Sequence, residues 1–102
     1  MTLKELYQIL KKTGFSVAYR EFKTKPTIPF IAYLEENREH IYADDSIYMK
    51  FKNIRIELYT ERKDPNAEEQ LESVLEDAGI IYSFTDIGRV DDLYEVVYNI
   101  EI

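Results

Sequence analysis

Residues 53–102 alternate between apolar and polar positions with unusual regularity, and the switches in period mark out the elements. Ile54, Ile56, Leu58 and Thr60 interleave with Arg55, Glu57, Tyr59 and Glu61. That period of two predicts a half-buried strand over 53–61. The pattern then changes. Asp64 before Pro65 is a helix start, with the carboxylate as N-cap and proline at the first helical position. Ala67, Leu71, Val74, Leu75 and Ala78 form the apolar stripe of that helix, Glu68, Glu69, Glu72, Glu76 and Asp77 its wet face, and Gly79 its end. Period two returns with Ile80, Tyr82 and Phe84. A polar connection is expected at Asp86–Asp92, and a last strand follows through Tyr94, Val96, Tyr98, Ile100 and Ile102.

The first half reads less cleanly. Thr2 and Glu5 make a capping box that opens a helix through Lys12, with Leu3, Leu6, Tyr7 and Leu10 on one face and Gly14 beyond its end. Phe15, Val17 and Tyr19 alternate as a first strand. Pro26 and Pro29 make Lys23–Pro29 a loop. Phe30–Leu34 is continuously apolar, as in a strand covered on both faces. Glu35–His40 is polar and reads as a turn or hairpin tip, and Ile41–Asp45 and Ile47–Lys52 lead into the strong strand. The order is α-β-β-β-α-β-β. Strands joined without intervening helices predict a mostly antiparallel sheet with both helices packed on one face, an α+β fold in a single domain over 1–102.

Composition narrows the class without naming a function. At 102 residues, with 45% hydrophobic and 32% charged positions, the chain is an ordinary one-domain globular protein. No apolar run approaches a membrane span, no signal peptide is expected, and a cytoplasmic site of synthesis is the simplest reading. The absence of cysteine excludes disulfides and thiolate chemistry. Charge is segregated: residues 1–63 hold 12 Lys+Arg against 9 Asp+Glu, net +3, whereas residues 64–102 hold Arg89 alone against 11 acids, net −10. The acidic half argues against general phosphate-backbone binding and is compatible with head-to-tail assembly of copies. Nine tyrosines suit either strands or interfaces.

Candidate chemistry is sparse. His40, the single histidine, sits beside Glu39 without a second His or Cys to complete a zinc set. Asp44-Asp45 and Asp91-Asp92 lack the further ligands of a calcium loop and read as turns. Glu68, Glu72 and Glu76 recur every four residues, but no Glu-x-x-His partner exists for a di-metal site. The row reads as a solvated or partner-facing stripe, so its neutralisation is expected to leave the monomer folded. Glycines at 14, 79 and 88 exclude the phosphate-binding glycine motifs, and Ser16, Ser46, Ser73 and Ser83 have no nucleophile-elbow context. No catalytic residue, cofactor or metal is expected.

The succession Ile28-Pro29-Phe30-Ile31-Ala32-Tyr33, Tyr42-Ala43-Asp44-Asp45, Ile56-Glu57-Leu58-Tyr59-Thr60, Lys63-Asp64, Glu68-Glu69 and Leu93-Tyr94-Glu95 resembles the tail-completion, or tail-terminator, proteins of long-tailed phages and prophages of Gram-positive bacteria. The likeness spans the whole chain and rests on the ordered set rather than on any one motif. Asp45 departs from it, since the family more often carries Ala-Asp-Asn there. The resemblance implies a non-catalytic virion protein at the head–tail junction. It would form a homo-oligomeric ring, a hexamer, on the end of the tail tube and meet the tube protein and the head connector or stopper. Specific nucleic-acid or membrane binding is not implied. Heterologous ring contacts need two different patches per subunit. Expected interface residues are Tyr42, Asp44, Asp45 and Tyr48 around the hairpin, Arg62 and Lys63 before the second helix, and Glu68, Glu72 and Glu76 upon it. The alternatives are an acidic DNA mimic of the anti-restriction type and a small adaptor that binds through an exposed sheet edge.

Overall fold

The computed structural model describes residues 1–102, except for the side chains of Ile47 and Tyr48. Its elements are α1 (Leu3–Lys11), β1 (Ser16–Tyr19), β2 (Phe30–Ala43), β3 (Ser46–Thr60), α2 (Pro65–Asp77), β4 (Tyr82–Val90) and β5 (Leu93–Glu101). The five strands form one sheet in the order β1-β2-β3-β5-β4. Every pair is antiparallel except β1–β2. The α+β architecture expected from the period switches is the one observed.

Each boundary follows from local chemistry. Thr2 accepts from the Glu5 amide while the Glu5 carboxylate accepts from the Thr2 amide, closing the capping box. Asp64 caps α2 through the Ala67 amide. Leu6 and Leu10 of α1 and Leu71 and Leu75 of α2 are fully buried against Ile31, Ile54, Ile56, Leu58, Val96, Tyr98 and Ile100 of the sheet. Those strand residues point to one face, so both helices cover the same side.

The strands run further than their polar sequence suggests. Glu35–His40 belongs to β2, and the turn is Asp44-Asp45, with φ of 50° and 63°. Two positive φ values are what a tight two-residue hairpin demands, and Asp tolerates them better than most side chains. The expected connection at 86–92 is likewise mostly β4, with its turn at Asp91-Asp92 and a bulge at Gly88. β5 pairs with β3 only as far as Asn53, and a Lys52–Ile102 backbone pair closes that end. The remainder of the β2–β3 hairpin, from about Asn37 to Phe51, is a two-stranded arm. Seven residues per strand carry it roughly 20 Å past the sheet, giving the molecule extents of 50 × 27 × 25 Å.

Candidate functional site

Four regions carry the chain's polar and exposed apolar groups. The arm is the first. Register places Asn37, Glu39, Ile41, Met49, Phe51 and Asn53 on one side, and Arg38, His40, Lys50 and Lys52 on the other. The Asn53 amide donates to Asn37 and Glu39, at 2.5 and 2.9 Å. Arg38 pairs with Glu35 at the root, which holds the Glu35 carboxyl below its ordinary range. Towards the tip Ile41, Met49 and Tyr42 are exposed, Tyr42 by 65%, and Asp44 and Asp45 form the exposed turn. The tip therefore gathers Tyr42, Asp44 and Asp45. Tyr48 lies in β3, and its side chain is outside the described residues.

The second region is the junction between β3 and α2. Lys63 donates to Glu68 and Asp86, with contacts of 2.8 and 3.2 Å, and its amine lies over the rings of Phe84 and Tyr94. Those acceptors, Glu68 first, hold the ammonium pKa up. Tyr94 donates to Asp86 at 2.7 Å, and this bond, with Lys63, lowers the Asp86 carboxyl. Lys63 thus clamps its own chain, whereas Arg62 beside it is exposed.

The third region corrects the reading of the acidic helix. Glu68 is buried and Glu72 half-buried, so these two face the sheet side rather than water, while Glu76 at the end of the row is exposed. Tyr98 donates to Glu72 at 2.6 Å; Tyr82 donates to Glu76 at 2.6 Å and to Glu72 at 3.3 Å. Burial, then Glu72, pushes the Tyr98 hydroxyl pKa up, and for Tyr82 the bond to Glu76 does so first. The physical reason is that β4 and β5 present tyrosines beneath the helix, and a buried phenol needs an acceptor. Glu69 and Asp77 keep the outer face.

The fourth region was not anticipated. On the sheet face away from the helices, Arg55 bonds Glu57 at 2.8 Å and Glu95 at 3.4 Å, and Tyr59 donates to Glu57 at 3.3 Å. Burial, then the Glu57 charge, pushes the Glu95 carboxyl up, while Arg55 opposes both. Beside this network the 20–29 loop crosses the face, Phe22 against Phe30 and Phe30 stacked on Tyr59 with centroids 4.9 Å apart. A groove of about 420 Å³ lies there, and Arg20, Lys23 and Lys25 are exposed along it. The alternation of 54–60 placed Arg55 and Glu57 off the core, but pairing with Glu95 depends on the β3–β5 register, which no local pattern encodes.

The predicted residues do not form one site. Tyr42, Asp44 and Asp45 stand at the arm tip, whereas Arg62, Lys63 and Glu68 lie at the opposite end of the sheet, where Thr60 pairs with Tyr94. Among the described residues no group of three or more His, Cys, Asp or Glu is arranged to hold a metal ion, and no helix is long and apolar enough to cross a membrane. The chain matches no protein-family model and no curated protein at a significant level.

Proposed function

We propose that this protein is a structural assembly subunit: a tail terminator that closes a completed phage tail tube as a homo-oligomeric ring and offers a surface to the head connector. The observation that carries this reading is the arm. A two-stranded ribbon is marginal by itself in water, and this one leaves Ile41, Tyr42 and Met49 exposed beyond the last strand that could shelter them. Such a feature gains its stability by lying on another protein. A ring on a tube end supplies that support through neighbouring copies and the tube beneath, and weak contacts add up there because every copy is held near the next. The resemblance of the whole ordered sequence to tail-completion proteins points the same way.

The acidic-mimic reading draws less support from the geometry, because Glu68 and Glu72 are occupied by Lys63 and the tyrosines rather than displayed. An adaptor reading rests on β4, an edge strand with Phe84, Ile87 and Val90 exposed and Ile81 exposed just before it. Protection of the β4 amides from exchange by a bound peptide would favour it. The decisive experiment is deletion of the gene from its source phage or prophage, followed by imaging of induced particles. Full heads separated from tails of irregular length are expected; intact infectious particles would overturn the proposal.

A further inference from the structure

Two separate surfaces of the molecule are complementary in charge and in apolar content. An open groove of about 850 Å³ lies where the arm leaves the sheet, between the arm root and the α2–β4 connection. Its floor is apolar, with Ile80, Ile100 and Ile102, and Ile81 stands 90% exposed beside them. Its charged side chains are Glu36, Glu39 and Glu101, with no lysine or arginine among the described residues that line it, and Met1 borders it as well. The last turn of α2 ends next to this groove with Glu76 and Asp77 and no basic residue. Carboxylates at a helix C-terminus meet the negative end of the helix dipole, so Glu76 and Asp77 add to the negative potential there.

The 20–29 loop has the opposite character. Arg20, Lys23 and Lys25 are exposed against the single carboxylate of Glu21, and Ile28 is exposed near its end. The loop is held rather than trailing. Arg20 takes a φ of 66°, its amide bonds the Tyr33 carbonyl, and the Glu21 amide bonds the Tyr19 carbonyl. An arginine in that left-handed region is costly, and such outliers cluster where a segment is presented for a purpose. The loop returns to the sheet at Phe30, and the groove lies at the other end of the strands, near Asn53 and Glu101.

We propose that the 20–29 loop of one copy docks in the arm-root groove of the next, Lys23 and Lys25 against Glu36 and Glu39, and Ile28 against Ile81. The contact is heterologous, joining two different patches, and repetition closes a ring when the rotation per copy divides a full turn. It rests on the ring reading above and specifies which surfaces meet. The occupant is a second copy because the loop supplies the cations that the groove's side chains lack and an apolar residue to meet Ile81.

The cysteine-free chain makes a direct test simple. Lys25→Cys and Ile81→Cys are introduced together, the variant is assembled into particles, and mild oxidant is applied. A ladder of covalent oligomers up to the full ring is expected, while each single variant stays below it. Rings seen by electron microscopy without a ladder would overturn this docking and leave the ring itself standing. Neither rings nor ladder, with normal particles after gene deletion, would overturn both. Reversal supplies a second arm: Lys23→Glu with Lys25→Glu is expected to abolish assembly, and Glu36→Lys with Glu39→Lys in the same chain to restore it. Failure of the second pair to restore assembly, with all variants folded by circular dichroism, would also overturn the proposal.

Discussion

Arg55 reaches diagonally across two strands to Glu95, at 3.4 Å, and Val97 lies between them in the register. The side chain starts opposite Asn99 and ends at the residue opposite Tyr59. It therefore spans the row that holds Val97, which is 1% exposed on a face no helix covers. A charged residue is acting as the roof of an apolar one. Arg55→Ala removes the roof and leaves Glu57 and Glu95 facing each other without their cation. The expected loss is about 1–3 kcal/mol, below that of a fully buried pair because Arg55 keeps some contact with water. Urea unfolding checks it, with Arg55→Lys expected to recover only part, since a compact ammonium lacks the planar, spread fork of donors that reaches Glu57 and Glu95 together.

Glu95 gives this face a pH dependence of definite sign. Its folded-state pKa is raised, by burial first. Protonation thus favours the folded chain: the contribution is complete below the ordinary carboxylate pKa and is lost as pH rises through the folded value. Glu95→Gln keeps the shape and removes the charge. Its stability relative to the unaltered chain is expected to rise from acid to neutral pH. An unchanged difference between the two across that range would mean that Glu95 carries no such burden. Asp86 acts in the opposite direction, since its lowered pKa gives stability above the ordinary carboxylate range that is lost on acidification.

The tyrosine–glutamate stitch under α2 predicts a pattern opposite to that of a solvated stripe. Tyr98→Phe loses a hydrogen bond to a charged acceptor and leaves half-buried Glu72 with only the longer bond from Tyr82, at a cost of about 1.5–3 kcal/mol. Glu68→Gln, Glu72→Gln and Glu76→Gln combined are expected to lower the unfolding midpoint clearly, whereas Glu69→Gln on the outer face leaves it unmoved. Thermal unfolding of the set decides between the two patterns.

The arm's turn offers a gain. Asp45 sits at φ 63°, where glycine has no steric penalty. Asp44→Asn with Asp45→Gly gives the pair that such turns favour, and stabilisation of the hairpin by about 0.5–1 kcal/mol is expected. Hydrogen exchange at Glu39–Ile41 would slow, while exchange at the central β3–β5 amides would not.

The fold was legible where burial imposed a period. Ile54 to Thr60 and Tyr94 to Ile100 alternate because one side meets the helices, and the Asp64-Pro65 start was readable from capping chemistry alone. The arm was not legible because neither of its sides is buried, so nothing enforces alternation. The irregularity between Glu35 and Asn37 also shifts parity. Odd-numbered positions of β2 face the helices through Glu35, and even-numbered ones share that side from Arg38 onward. The acidic helix misled for a different reason. Spacing locates Glu68, Glu72 and Glu76 on one helical stripe, but only the sheet beneath shows that tyrosines wait there.

The strand order has a consequence for how the chain is made. β5, which follows β4 in the chain, is not an edge but lies between β3 and β4. Until residues 93–101 emerge, β4 has no strand to pair with, and Ile54, Ile56 and Leu58 lack the flank that Val96, Tyr98 and Ile100 supply. The nascent chain therefore holds an unfinished apolar surface until β5 is made. Loss of a few residues from β5 would remove the middle of the sheet rather than trim its border.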